Sequence, residues 1–415
     1  MDEYKLLEES ILNQIDIIPR TKYVPQFNPT NENSGIIALT YDNVDYKDKK
    51  TKVFAYFGMP KHKLGEKVPA VILLHGGLGH AYACWVKMWN DRGYAAIAMD
   101  HDGFYPTVVN AGSSEVEDKK NWAREFNEVF AEDGYIIPPQ EDYMNIGDKP
   151  FTEHWVYHAV CSTIRAHNIL RLNPDIDAER IGITGISWGS VIATIVIGYD
   201  NRLSFAVPVY GSGYLSQGYS LLDKAFMVPR TYELWSAEKR FDSVNFPVFW
   251  LAWNDDSPFS INSCALSYEH TYKFNNKTRM ATKDKMMHSH GCGWAPQEIY
   301  SFADWITGNE NSPFPNIFNE SDGRKIKYKI INSTAAKIIG AKIYYINSKM
   351  VFSVVKRYNT DWHALTEEWS VDNCDIIDDN IVYNLPNTVC GYYIELTFSL
   401  PDAENLVITA PYVEF

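Results

Sequence analysis

Arg180-Ile181-Gly182-Ile183-Thr184-Gly185-Ile186-Ser187-Trp188-Gly189-Ser190-Val191 is the stretch on which the fold reading turns. Arg180–Thr184 is short, apolar and β-branched, which reads as a strand. Val191–Tyr199 is apolar enough to be a buried helix. Between them Gly185-Ile186-Ser187-Trp188-Gly189 has the Gly-x-Ser-x-Gly spacing of a nucleophile elbow. The pentapeptide alone is common; a strand before it and a helix after it supply the context that gives it meaning. A sharp turn there would lift the Ser187 hydroxyl above the sheet, with glycines leaving room for strand and helix to approach.

Outward from this turn the same rhythm repeats. Val68–Leu74, Ala95–Asp100, Phe205–Tyr210 and Pro247–Trp253 are further short apolar runs. Trp85–Arg92, His154–Leu172 and Pro296–Ile306 read as helices between and after them. Runs apolar on both faces suit central parallel strands, and their alternation with helices predicts an α/β fold: a mostly parallel sheet with helices on both faces. Lys52–Phe57 alternates like an edge strand. Residues 1–50 read as a peripheral N-terminal segment, with a short helix at Glu3–Ile15. The catalytic domain is expected over 51–310, with an insertion at about 103–152 on the active-site side, rich in turn residues and aromatics (Tyr105, Trp122, Phe126, Tyr135, Tyr143). From 316 to 415 short alternating segments such as Lys325–Ile331, Lys342–Ile346 and Tyr392–Phe398 replace the helices, which predicts a small C-terminal β-sandwich.

A serine hydroxyl needs a base to take its proton. Acid and histidine are expected after later strands, in that order. Pro247–Trp253 ends in Asn254-Asp255-Asp256; Asp255 comes sooner after the strand and is the preferred acid, leaving Asp256 as a loop cap or solvated charge. Met287-His288-Ser289-His290-Gly291 precedes the last helix. His290, beside flexible Gly291, is the preferred base, with His288 the alternative. Oxyanion donors are expected at the Trp188 amide and in the loop His75-Gly76-Gly77-Leu78-Gly79, where Gly77 is preferred and Leu78 is the alternative. His75 reads as structural, and His154 and His158, one helical turn apart, as serving a helix face.

Other chemistries find little support. The glycine-rich loop lacks the lysine of a Walker loop and the Gly-x-Gly-x-x-Gly spacing, so no nucleotide cofactor is expected. His288 and His290 have no second ligand cluster in the sequence, so no metal is expected. A net charge of −14 argues against nucleic acid and anionic membranes as partners. No basic stretch with an apolar core opens the chain and no apolar run approaches a bilayer span, which favours a cytoplasmic location. Six scattered cysteines without a Cys-x-x-Cys pair read as free thiols, although Cys374 and Cys390 could pair. A homo-oligomer is left open.

The residues resemble a known group. His75-Gly76-Gly77, Trp85, Arg92–Asp100, Gly185–Gly189, Val207–Gly211, Asn254-Asp255 and His288–Gly291 with Gly293-Trp294 look like the acetyl xylan esterase and dienelactone hydrolase-like branch of the α/β-hydrolases, over about residues 50–308. The resemblance implies a serine esterase working through an acyl-enzyme, often on an acetyl ester of a carbohydrate, and it also points to Asp255 as the acid. The chain departs from the pattern at Ala252-Trp253, where relatives often have a small pair, and at Ser190, where glycine is common. The tail resembles an appended sandwich of some bacterial relatives and reads as a brace, an interaction surface or a carbohydrate-binding element. A prolyl-oligopeptidase-like peptidase is the rival reading, but no propeller repeat precedes the sheet. A non-catalytic binding protein on the same fold is the second.

Overall fold

The computed structural model describes residues 2–30, 35–108, 118–123, 146–220, 222–308, 312–332, 334, 336–357, 360–400 and 404–415. The strands of the first half are β1 (Thr21–Tyr23), β2 (Ile37–Asp42), β3 (Lys52–Gly58), β4 (Val68–Leu74), β5 (Ala95–Met99), the short pair β6 (Tyr105–Pro106) and β7 (Trp122–Ala123), β8 (Ile176–Ile186), β9 (Phe205–Val209), β10 (Phe249–Trp253) and β11 (Arg279–Lys283). All but β6 and β7 form one nine-stranded sheet in the order β1-β2-β3-β5-β4-β8-β9-β10-β11. From β5 to β11 neighbours run parallel, while β1, β2 and β3 are antiparallel additions. Every residue of β5, β9 and β10 is buried, as expected of strands covered on both faces.

The strand order explains the layers. The chain steps from β4 outward to β5, then reverses past β4 to β8 and onward. Right-handed crossovers in opposite directions put their helices on opposite faces. Helix Ala83–Asn90 lies in the first crossover and meets the last helix, Gln297–Gly308, through Trp89 and Tyr300, whose ring centroids are 4.9 Å apart. Helices Trp155–Leu172 and Trp188–Ile197 lie in the return crossovers and pack together.

Two expectations shift. The N-terminal segment is not peripheral: β1 and β2 extend the sheet, and Leu7 and Ile11 of helix Glu3–Leu12 are buried. Consequently Lys52–Gly58 is not an edge strand, because it is paired on both sides, with β2 and β5. Most of the expected insertion, including Phe126, Tyr135 and Tyr143, lies outside the described residues. Its described hairpin packs Trp122 on His80, ring centroids 4.2 Å apart and planes 17° from parallel.

The C-terminal strands are β12 (Asn316–Asn319), β13 (Lys325–Ile331), β14 (Lys337–Ile346), β15 (Phe352–Arg357), β16 (Thr360–Leu365), β17 (Ser370–Ile377), β18 (Asn380–Asn384), β19 (Gly391–Ser399), β20 (Asn405–Thr409) and β21 (Val413–Glu414). Eight of them make an antiparallel sheet, and β15 and β16 form a separate hairpin. β17 pairs β14 through Ser370–Cys374, then β18 through Asp375–Ile377. In β13 only every second residue is buried, whereas β19 is buried almost throughout. β19 lies next to the end of this sheet, between β14 and β20 and also paired with β21, and the second sheet meets the first around it: Phe314 and Phe398 touch edge to face, and Thr282 of β11 donates its amide hydrogen to Thr409 Oγ1 of β20 at 3.0 Å. All six cysteines are free, Cys374 and Cys390 included. Among the described residues no helix is long and apolar enough to cross a membrane.

Candidate active site

Ser187 sits between β8 and helix Trp188–Ile197 with φ +57° and ψ −119°, a conformation that non-glycine residues adopt only when their surroundings enforce it. Here the surroundings are backbone. A Cβ on Gly185 would lie 2.2 Å from the Gly189 carbonyl oxygen, and one on Gly189 would lie 2.2 Å from that of Leu74. Strand and helix are therefore too close for any side chain at either position. The Ser187 amide donates to Val209 O at 2.9 Å, which fixes the turn to the next strand.

Ser187 Oγ lies 2.9 Å from His288 Nε2, and His288 Nδ1 lies 2.8 Å from Asp256 Oδ2. Asp256 is fully buried at its side chain, and its Oδ1 accepts the Phe259 amide hydrogen at 3.3 Å. Burial pushes its carboxyl above the usual carboxylate range, against the opposing pull of His288 and the Phe259 amide. With its proton on Nδ1, His288 donates to Asp256 and leaves Nε2 to accept from the serine hydroxyl. Tyr210 and Phe259 flank the imidazole, ring centroids 4.6 and 6.2 Å away. The Tyr210 hydroxyl also donates to Met287 O at 2.7 Å, holding the residue before the histidine.

This arrangement differs from the sequence expectation at two positions. Asp255, the expected acid, faces away: its Oδ1 accepts the Leu365 amide hydrogen at 2.9 Å. Its neighbour Asp256 meets the histidine instead. His290, the expected base, is the first residue of helix His290–Trp294, which Ser289 caps by accepting from the Cys292 amide. The helical turn carries the His290 ring to the glycine loop, where Nε2 accepts the Gly76 amide hydrogen at 2.8 Å. The alternative, His288, precedes the cap and reaches Ser187.

The glycine loop lies beside the nucleophile. A Cβ on Gly76 would sit 3.0 Å from Ser187 Cβ, and one on Gly77 would sit 2.8 Å from Trp188 Cδ1. None of the hydrogen bonds among the described residues uses the Gly77 amide. Leu78 is exposed with φ +64°, and the Gly79 amide closes the turn onto Gly76 O. Behind the loop His290, Tyr82, His80 and Trp122 form an aromatic ladder, successive centroids 5.0, 4.1 and 4.2 Å apart. Ser190 donates its hydroxyl to Gly211 O at 2.9 Å.

Among the described residues one group has ligand atoms close enough for a metal ion: His75, His101 and Asp102, within 4.8 Å of one another and buried. The two rings are stacked 3.8 Å apart with planes 7° from parallel, so their in-plane lone pairs run side by side and do not converge on one point. Burial depresses both imidazoles, His101 to about 3 and His75 well below the ordinary range, which keeps them neutral. His75 Nδ1 lies 2.8 Å from Gly76 O, in keeping with its expected structural part under the loop.

An elbow serine, a buried acid and a histidine, in that order along the chain, on a mostly parallel sheet mark an α/β-hydrolase. Residues 21–220 match the family model of acetyl xylan esterase (AXE1). The chain is a serine hydrolase of the esterase type. The acetyl xylan esterase match includes the glycine loop and the elbow and ends before Asp256 and His288. An acetyl xylan esterase from Paenibacillus sp. R4 is similar in structure, with 17% identity and a TM-score of 0.49 over 70% of this chain and 90% of that one. Acetyl xylan esterase 1 from Thermoanaerobacterium sp. JW/SL YS485 has 12% identity and a TM-score of 0.45 over 68% and 86%. A putative dienelactone hydrolase from Klebsiella pneumoniae subsp. pneumoniae MGH 78578 has 14% identity and a TM-score of 0.40 over 66% and 99%. No curated protein matches.

Proposed function

We propose that the protein is a carboxylic-ester hydrolase that removes acetyl groups from carbohydrates or other small acetyl esters. The observation that carries this reading is the unbroken relay from Ser187 Oγ through His288 to Asp256. The acetyl xylan esterase match supports the substrate class.

In this mechanism Ser187 Oγ attacks the ester carbonyl carbon while His288 Nε2 takes its proton. The buried Asp256 carboxylate holds the ring and stabilises the imidazolium. The negative charge on the carbonyl oxygen is met by the amides of Gly77 and Trp188, the latter at a helix N-terminus. Collapse expels the alcohol, which takes the proton back from His288. Water, activated by the same imidazole, then releases acetate from the acyl-serine.

The test is acetate release from a panel of acetylated sugars, together with p-nitrophenyl acetate turnover by the wild type and Ser187→Ala. The variant should lose about a thousandfold or more of kcat/KM while keeping its fold. Undiminished turnover by purified Ser187→Ala would remove the mechanism; turnover without release from any acetylated sugar would move the substrate away from carbohydrate.

A further inference from the structure

The segment that bears the proposed acid is held from outside the hydrolase sheet. Asn254, Asp255 and Asp256 follow β10 directly, and three contacts from the C-terminal strands fall on the first two. The Asn254 carbonyl oxygen accepts from Trp369 Nε1 at 3.1 Å. Asn254 Nδ2 donates to the Tyr393 hydroxyl at 3.1 Å. Asp255 Oδ1 accepts from the Leu365 amide at 2.9 Å, a hydrogen bond strengthened when the carboxylate is charged. Leu365 closes β16, Trp369 directly precedes β17, and Tyr393 lies in β19, so three separate stretches converge on two residues.

The clamp is itself immobilised. Tyr393 is fully buried and stacks on Tyr344 at 4.8 Å, planes 2° from parallel. Trp369 packs edge-on against Tyr393 at 5.3 Å and against Tyr412 at 6.1 Å. On the hydrolase side the segment is tied by Asn254 N to Lys283 O, Asp256 N to Trp253 O, Asn254 Nδ2 to Asp284 at 3.4 Å and the Phe259 amide to Asp256 Oδ1 at 3.3 Å. A carboxylate that orients a histidine must be held to about 0.5 Å. Anchoring the two residues before it to a rigid aromatic block achieves that.

We propose that the C-terminal sheet is a positioning element of the active site, in which Asp255, Trp369 and Tyr393 hold the acid segment so that Asp256 aims at His288. The proposal rests on Asp256 being the triad acid. Asp255 then acts as a positioning residue and not as a second candidate acid.

The experiment compares Asp255→Ala, Asp255→Asn, Trp369→Phe and the double variant Asp255→Ala/Trp369→Phe in the full chain, with Ser187→Ala as reference. Asp255→Ala and Trp369→Phe should each lower kcat about 10- to 100-fold with KM within about twofold. Asp255→Asn keeps an oxygen acceptor for Leu365 and should restore most of the rate. The acidic limb of the kcat/KM profile should move to lower pH in the impaired variants, because an imidazolium with a poorly aimed carboxylate gives up its proton more readily. A role in stability alone would lower Tm and leave kcat per folded molecule and the acidic limb unchanged; that result overturns the proposal, as does an Asp255→Asn enzyme as impaired as Asp255→Ala. If Ser187→Ala is inactive while the clamp variants are unaffected, the clamp alone fails. If Ser187→Ala is active, the triad and the clamp fall together.

Discussion

Asp256 Oδ2 lies 2.8 Å from His288 Nδ1, and no surface of the carboxylate reaches solvent. Burial of a charge beside one partner is unfavourable for folding and useful for catalysis. The same pair therefore yields opposite consequences for stability and for rate.

Asp256→Asn should separate them. The amide can still accept from His288 but cannot stabilise an imidazolium, so kcat should fall about 10⁴-fold. Burial raises the Asp256 carboxyl, so the folded chain holds this proton more tightly than the unfolded chain does, and ionising the group costs stability at neutral pH. That contribution to stability is present below the unfolded carboxyl value and is lost as pH rises through the folded one. A neutral isostere should consequently raise Tm at pH 7. Calorimetry beside kinetics checks both; a lower Tm would mean that the charge is net stabilising in its pair with His288.

Gly77→Ala should damage the proposed oxyanion site more than the fold. Its Cβ would lie 2.8 Å from the Trp188 indole, so the loop must shift away from the amide it works with. A loss of about 10² in kcat with little change in KM is expected, the scale of removing one oxyanion donor. Steady-state kinetics on p-nitrophenyl acetate measure it, and an unaltered kcat would exclude Gly77 from the oxyanion site.

Acid should unfold the protein earlier than its carboxylates alone would dictate. Burial depresses His101 to about 3 and His158 to about 4, and His75 well below its ordinary value. Above about pH 6.5 these rings are neutral folded or unfolded. Below it the unfolded chain takes up protons that the folded chain refuses, each pK unit being worth about 1.4 kcal/mol. Tm should fall steadily from pH 6.5 towards pH 4, as followed by circular dichroism. A flat profile across that window would show that these imidazoles open to solvent without unfolding.

Much of this was legible in the sequence because it is local. The elbow, its strand and helix, the glycine loop and the central strands are each written in consecutive residues. The misplaced elements depend on distant partners or on helical phase. Asp255 and Asp256 are indistinguishable in composition; only Leu365, 110 positions away, takes the first and leaves the second to the histidine. His288 and His290 differ because Ser289 caps a helix, and that signal was present: a serine three residues before the Cys292 amide it accepts. Gly35-Ile36-Ile37-Ala38-Leu39 contained the strand signal for β2, masked by the Asn- and Pro-rich residues before it. The clamp on Asn254 and Asp255 has no sequence signature, since it joins residues more than a hundred apart.

Everything proposed for the reaction depends on His288, and not His290, being the base that serves Ser187. The sharpest check is kcat/KM for p-nitrophenyl acetate in His288→Ala and His290→Ala measured side by side. His288→Ala should lose about a thousandfold or more, and His290→Ala should lose less, through the loosened Gly76 loop. Near-wild-type turnover in His288→Ala with an inactive His290→Ala would contradict that assignment.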